Sequence, residues 1–252
     1  MSEKKLDGKV AVITGASKGL GKAMALALAA EGAQIALVSR NIEQLNEVGR
    51  ALKNAGGEAR VFQADVAEED QVRKLERDVT GAFGKVHILI NNAGINVRKP
   101  IVEFTLEEWH RVMNTNVTSV FLMCRSFIPH MKGAGYGRII SMTSIMSWVS
   151  LPGRAAYSAS KTALLGVTRA LALELAGDAI TVNAISPGPF ATEMNTALMQ
   201  DPEINQQFIS KIPLGRWGQV EEIGQLALYL CSPDAGFITG TDIVIDGGWT
   251  AQ

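Results

Sequence analysis

The chain has little cysteine. Cys124 and Cys231 stand far apart among 252 residues and form no C-x-x-C, so neither a disulfide framework nor a zinc or other metal site is expected, and a reducing cytoplasm fits. It also lacks a dominant charge. With 24 basic and 25 acidic residues the formal net charge is −1, which argues against a nucleic acid or an anionic membrane as the main partner. No uncharged apolar run approaches the roughly eighteen residues of a membrane helix. The segment from Met1 to Gly8 is polar and charged, without the apolar stretch of a secretory signal. Low-complexity tracts, runs of like charge and repeats of fixed period are absent too. What is present, 47% hydrophobic and 19% charged residues, suits a soluble chain that buries a full core as one domain over residues 1–252.

Short apolar runs alternate with helical patterns along the whole chain. Strands are expected at 10–14, 34–39, 59–63, 86–90, 138–143, 180–185 and 242–245, and helices at 20–31, 42–55, 68–81, 106–131, 154–175 and 220–231. This alternation is the pattern of an α/β fold, a doubly wound parallel sheet with right-handed crossovers and helices on both faces. A stretch bearing proline and glycine, 186–218, breaks the rhythm and reads as the least regular part; loops of that length are usually functional.

The turn after the first strand reads Thr14-Gly15-Ala16-Ser17-Lys18-Gly19-Leu20-Gly21. Glycines at 15, 19 and 21 permit a tight turn, close approach of the backbone to a pyrophosphate, and close packing of the following helix, whose free N–H groups face the anion. Gly15 to Gly19 also satisfies G-x-S-x-G, which would make Ser17 a hydrolase nucleophile. That reading needs a histidine after the serine and the acid, yet His87, His110 and His130 are the only ones. At the end of the second strand, where an NAD site carries a carboxylate for the ribose, the chain has Ser39-Arg40-Asn41. Arg40 is suited to the 2′-phosphate of NADP(H), with Lys18 and Ser39 helping. NADP(H) is therefore expected over NAD(H), unless Arg40 and Lys18 are only surface cations.

Tyr157 and Lys161 are four residues apart at the start of an apolar helix, which places them on one face about 5–6 Å apart at Cβ. A cation about 5 Å from a phenol at an effective dielectric of about 20 favours the phenolate by roughly 3 kcal/mol, or about two pKa units. In bulk water the gain would be about a quarter of that. Such a pair makes chemical sense in a closed, largely dry site; on a solvated face it means nothing.

Taken together, Thr14-Gly-x-x-x-Gly-x-Gly, Asn91-Asn92-Ala93-Gly94, Asn116, Ser144 thirteen residues before Tyr157, Tyr157-x-x-x-Lys161, Pro187-Gly188 and Asp246-Gly247-Gly248 resemble the short-chain dehydrogenase/reductase family from Gly8 to Trp249. The resemblance implies a Rossmann-fold oxidoreductase with a seven-stranded sheet, usually a homotetramer or homodimer. It implies that Tyr157 is the general acid or base, that Lys161 lowers its pKa and holds the nicotinamide ribose, and that Ser144 hydrogen-bonds the substrate oxygen. Asn116 would anchor a water that relays protons, although a polar kink satisfied by its neighbours fits that residue nearly as well. Asp65 with Val66 would face adenine, Asp65 being equally suited to a helix cap. Asn92, Ala93 and Gly94 would shape the adenosine ribose site, Leu20 and Gly21 would continue the phosphate turn, and Thr192, after Pro187 and Gly188, would contact the carboxamide. The substrate is expected to be a small carbonyl or alcohol compound. Arg98-Lys99-Pro100 and Leu214-Gly215-Arg216-Trp217-Gly218 look similar to sugar-acid dehydrogenases of the gluconate 5-dehydrogenase type, and 3-oxoacyl carrier-protein reductases share much of the pattern. A non-catalytic NADP sensor is a further alternative.

Trp148, Val149, Phe190, Met194 and Trp217 flank the expected site, where each is either pocket or core. Arg98, Lys99 and Arg154 are suited either to a substrate carboxylate or to solvent. Val120, Phe121, Leu122, Leu164, Leu165 and Leu171 place apolar residues on more than one face of helices 106–131 and 154–175, which points to a partner subunit.

Overall fold

Alternating apolar residues build the sheet, and their two sides fill two separate cores. In β1 (Val10–Thr14), Ala11 and Ile13 enter one core and Val12 the other; in β4 (Ile88–Asn91), Ile88 and Ile90 divide from Leu89 in the same way. Strands apolar on both sides must be covered on both sides, which is why the sheet is parallel and wrapped. The remaining strands are β2 (Gln34–Ser39), β3 (Glu58–Gln63), β5 (Gly137–Met142), β6 (Ile180–Pro187) and β7 (Asp242–Ile245). All seven pair in parallel in the order β3-β2-β1-β4-β5-β6-β7. The computed structural model describes residues 4–251; residues 1–3 of the polar N-terminal segment, Gln252 and the side chain of Met194 lie outside the described residues.

One face carries α1 (Gly19–Ala30) and α2 (Ile42–Asn54), whose Met24, Leu28, Leu45 and Leu52 share a core with Ile13, Ile35 and Leu37. The other carries α3 (Glu69–Phe83), where Val72, Leu75 and Val79 pack with Val12, Val38 and Leu89. Among the described residues no helix is long and apolar enough to cross a membrane.

The expected helix 106–131 is interrupted. It comprises α4 (Leu106–Met113) and α5 (Ser119–Met131) joined by a π turn over Asn114–Thr118, an irregularity frequent at functional positions. Then α6 (Ala155–Leu175) carries Tyr157 and Lys161. The stretch 186–218 is more ordered than its composition suggests, for it contains α7 (Thr196–Gln200) and α8 (Pro202–Ile209). In α8 Asp201 accepts from the backbone of Glu203 and Ile204, with Pro202 in the first turn; carboxylate cap and early proline together start a helix. Finally α9 (Val220–Cys231) joins the face of α1, Ile223, Ala227 and Leu230 sharing that core, and packs so closely that a Cβ at Gly224 would lie 2.9 Å from the Ala23 carbonyl oxygen.

The expected partner-facing residues are mostly covered within the chain. Val120, Leu122, Leu164 and Leu165 are buried, and Leu171 is partly buried against the second core. Phe121 alone of the six is exposed, joined by Leu106 and Leu173, which the side-chain pattern did not single out.

Candidate active site

β1 lies between β2 and β4, so chain connections diverge at its C-terminal end. A crevice opens at such a reversal in parallel sheets. The glycine turn forms its floor: Gly15 and Gly19 have φ of +64° and +52°, values that favour glycine, and a Cβ at Gly21 would lie 2.3 Å from the Gly15 carbonyl oxygen. Thr14 Oγ1 accepts from the backbone N–H of Asn92 and Ala93 at 3.0 and 3.1 Å, while Asn92 Nδ2 donates to the carbonyls of Thr14 and Gly15. The turn and the Asn91-Asn92-Ala93-Gly94 segment thus form one braced unit.

The resulting cleft measures about 520 Å³, within the usual range for small-molecule sites. At one end it is lined by Ser39, Arg40, Asp65 and Val66, in the middle by Gly15, Ser17, Lys18, Gly19, Leu20, Asn92, Ala93 and Gly94, and at the other end by Ser144, Tyr157, Lys161, Pro187, Gly188 and Thr192. Of the expected site residues only Gly21 and Asn116 stand behind the wall. Asn41, Gln44, Ile95, Glu193 and Asn195 line it as well, although the sequence pattern did not single them out. Asn41 caps α2 by accepting from the Gln44 N–H, a signal visible as Asn-x-x-Gln at a helix start.

At the adenosine end no carboxylate ends β2, and Arg40 is largely exposed with Nη1 3.5 Å from Asp65 Oδ2. So long and exposed a pair costs little to break. The arginine fits an added phosphate, the glycine cradle fits a pyrophosphate, and the exposed Lys18 stands at the N-terminus of α1. Glu193 is the discordant group. Its carboxylate would be 3.3 Å from a Cβ at Gly19, beside the place where an anion would lie.

At the other end, Ser144 follows β5, and its Oγ accepts from the Met146 N–H of a short 3-10 turn. Lys161 is buried, donates from Nζ to the Met142 carbonyl at 2.6 Å, and stands 5.7 Å from the centre of the Tyr157 ring. Burial pushes its ammonium down to about 8. Tyr157 departs from the simple pair electrostatics of the sequence. Burial raises the phenol above its ordinary value; the groups opposing this are a hydrogen bond with Ser144 and then the charges of Arg154 and Arg98, not Lys161. Burial withholds water from the phenolate, and this outweighs the hydrogen bond and the two charges that favour it, while Lys161 is directed at the Met142 carbonyl.

Asn116 sits in the π turn, fully buried. Its Oδ1 accepts from Ile95 N–H at 2.8 Å, and Nδ2 donates to the Ile95 carbonyl and to Ser160 Oγ, each at 2.9 Å. Its Oδ1 and Lys161 Nζ both flank Gly94, at 3.3 and 3.4 Å from where a Cβ would be. It therefore joins the strand-four loop to α6 directly behind the lysine.

Among the flanking residues, Phe190 lines the cleft. Trp217 is core instead, stacked on Phe208 at 5.4 Å with its indole N–H donating to Asn205. Trp148 and Val149 are exposed outside the cleft, and the Trp148 indole donates to Asp242 at 2.6 Å. Asp242 also accepts from Thr143 and Ser186, and Ser186 Oγ lies 3.0 Å from the Ser144 carbonyl; this buttress behind Ser144 was invisible to spacing. Lys99 is consumed by an ion pair with Glu108 at 2.5 Å. Among the described residues no histidine lines the cleft that holds Ser17: His87 accepts from Val10 N–H and His130 pairs with Glu76. A serine-histidine relay at Ser17 therefore has no base.

Residues 15–250 match the sequence model of a family described as enoyl-(acyl carrier protein) reductase. The gluconate 5-dehydrogenase of Gluconobacter oxydans is 37% identical over 251 residues, which cover 98% of this chain and 96% of that protein. The 3-oxoacyl-[acyl-carrier-protein] reductase FabG of Thermotoga maritima is 35% identical over 244 residues, covering 97% and 98%. A gluconate 5-dehydrogenase from Burkholderia cenocepacia, solved in complex with NADP and tartrate, is similar at a TM-score of 0.94 and 36% identity, with 99% of this chain and 98% of that chain covered.

Proposed function

We propose that this chain, which belongs to the short-chain dehydrogenase/reductase family, is an NADP(H)-dependent oxidoreductase that interconverts a ketone and a secondary alcohol, with a sugar acid or polyol as substrate. The observation carrying this reading is that Ser144, Tyr157 and Lys161 line the same cleft as the glycine turn and Arg40. The Burkholderia relative binds NADP, and the same cofactor suits Arg40 here. Gly15 and Gly19 with Ser17, Lys18 and Leu20 hold the pyrophosphate on the turn that Gly21 packs from behind, Ser39 and Arg40 the 2′-phosphate, Asp65 and Val66 the adenine, and Asn92, Ala93 and Gly94 the adjoining ribose. Lys161 holds the second ribose, and Pro187, Gly188 and Thr192 the nicotinamide.

When bound, NADP(H) supplies the hydride for reduction or accepts it in oxidation. In reduction Tyr157 donates its proton to the carbonyl oxygen. Its raised pKa keeps it protonated at neutral pH, which suits an acid. Ser144 hydrogen-bonds the same oxygen as negative charge grows there, and the phenolate left behind is favoured by the Ser144 hydrogen bond and the charges of Arg154 and Arg98. Asn116 fixes the loop at Ile95 and anchors the proton relay behind Lys161. The chain acts as one domain over residues 1–252, in the cytoplasm, as a homotetramer or homodimer through α4, α5 and α6, where Leu106, Phe121 and Leu173 are exposed.

Initial rates at 340 nm, with NADPH and NADH against sugar acids, polyols and β-ketoesters, test the reading. Turnover with NADPH preferred is expected. Tight NADPH binding with no turnover of any compound would make the protein a sensor, and preference for the β-ketoesters would move it to the carrier-protein reductases.

A further inference from the structure

The charges of two arginines, Arg98 and Arg154, act on Tyr157, and among the described residues neither has a counterion. The loop carrying Arg98 and the turn carrying Arg154 pack together, a Cβ at Gly153 lying 3.5 Å from the Lys99 backbone nitrogen. Both charges are felt at the Tyr157 hydroxyl, and burial followed by the charge of Arg98 lowers the Arg154 pKa. Among the described residues no carboxylate comes within ion-pairing distance of either guanidinium; Glu108, which could have served, is held by Lys99. Arg98 Nη2 reaches only a neutral acceptor, Asn195 Oδ1, at 3.3 Å, and Asn195 itself lines the cleft. Arg154 Nη1 is shielded from solvent and has no hydrogen-bond partner. The helix that begins at the next residue has no acidic side chain in its first turn and no side-chain cap, so its positive end adds to the same field.

Two like charges next to the cleft wall at Asn195, the exposed Arg98 and the half-buried Arg154 with its unmade hydrogen bond, are unfavourable until an anion joins them. A guanidinium pair is matched in shape and charge by a carboxylate. We propose that Arg98 and Arg154 form a subsite for a carboxylate carried by the substrate, placed so that the carboxylate anchors one end of the molecule while its carbonyl meets Tyr157 and Ser144. This rests on the proposed carbonyl reduction and narrows its substrates to keto acids over neutral polyols and ketones. Arg154 and Arg98 are then specificity residues, and Asn195 positions Arg98.

The test compares reduction of a hexulosonate with that of the neutral hexulose of equal chain length, in wild type, Arg98→Met, Arg154→Met, Arg154→Lys and the double methionine variant. Succinate binding is measured in parallel by calorimetry. Each single methionine variant should raise KM for the keto acid at least tenfold while KM for the neutral ketose moves less than about twofold, with kcat for both changing less than KM. Arg154→Lys should recover part of the loss, and the double variant should not bind succinate. Equal losses on both substrates, or an unchanged ratio between them with succinate binding intact in the double variant, would overturn the subsite. A wild type that binds succinate through these arginines but reduces neither ketone would leave the subsite standing and overturn the reductase reading.

Discussion

Lys161 Nζ and the Met142 carbonyl oxygen are 2.6 Å apart inside the protein, a cation tied to the end of β5 instead of to a carboxylate. A carbonyl compensates a buried ammonium only partly, and burial accordingly brings this one down to about 8 from an ordinary value near 10.5. Between those two pH values the unfolded chain holds more protons than the folded one, so this residue's contribution makes the protein more stable as pH rises through the window. Urea denaturation of wild type and Lys161→Met at pH 7.5 and 10, without nucleotide, should show the wild type gaining on the variant by at most about 3 kcal/mol. A constant gap between the two would contradict the desolvation.

Tyr157→Phe removes one hydroxyl from a site whose other groups remain. Turnover should fall by about 10²–10⁴-fold, while the dissociation constant for NADPH, followed by its fluorescence, stays within about threefold. Near wild-type reduction of any accepted ketone would remove Tyr157 from the chemistry.

Arg40 is exposed and only loosely paired with Asp65, so losing it should cost the fold little. Arg40→Ala should weaken NADPH about 10–100-fold, the equivalent of one charge-assisted contact, and leave NADH almost unchanged. Parallel titrations with the two nucleotides decide it; equal losses for both would place Arg40 away from the phosphate.

Glu193 stands against the turn that should receive a pyrophosphate. Its negative charge opposes that ligand, and Glu193→Gln should tighten NADPH by about two- to tenfold, most at low ionic strength. Weaker binding in the variant would mean that the carboxylate accepts a hydrogen bond in the complex.

Gly21 and Gly81 make a matched pair for stability. A Cβ at Gly21 meets the Gly15 carbonyl at 2.3 Å and Asn92 Nδ2 at 2.6 Å, whereas one at Gly81, inside α3, meets nothing within 4 Å. Gly21→Ala should destabilise by about 3 kcal/mol and Gly81→Ala should stabilise by about 0.5–1 kcal/mol, both read from thermal or urea midpoints.

The sheet was legible because strands buried on both sides repeat an apolar pattern that survives any detail of packing; β1, β2 and β7 carry the expected ends. Hydrogen-bond register along a helix leaves no such trace, so the π turn at Asn114–Thr118 was readable only as a polar interruption at Asn116. In 186–218 the prolines and glycines masked two helices, although Asp201-Pro202-Glu203 carried a usable start signal. Spacing also placed Tyr157 near Lys161 while misjudging the direction of the phenol's pKa, since burial and the Met142 carbonyl are tertiary facts. The Asp242 buttress joins residues nearly a hundred positions apart, a relation that no local pattern contains.

The excursion that follows β6 is tied shut at its neck. Phe190 and Gly218 form a parallel bridge, Ala191 N–H donates to the Gly218 carbonyl, Gly218 N–H donates to the Pro189 carbonyl, and a Cβ at Gly218 would lie 2.6 Å from the Phe190 ring. The segment between those two residues leaves and returns through this neck, and it is fixed again further out, where Leu214 N–H donates to the Gly247 carbonyl and Phe208 packs on Trp249. A side chain added at Gly218 would therefore act at a distance: by pushing on the Phe190 ring it would shift the start of the segment that brings Thr192 and Glu193 against the glycine turn.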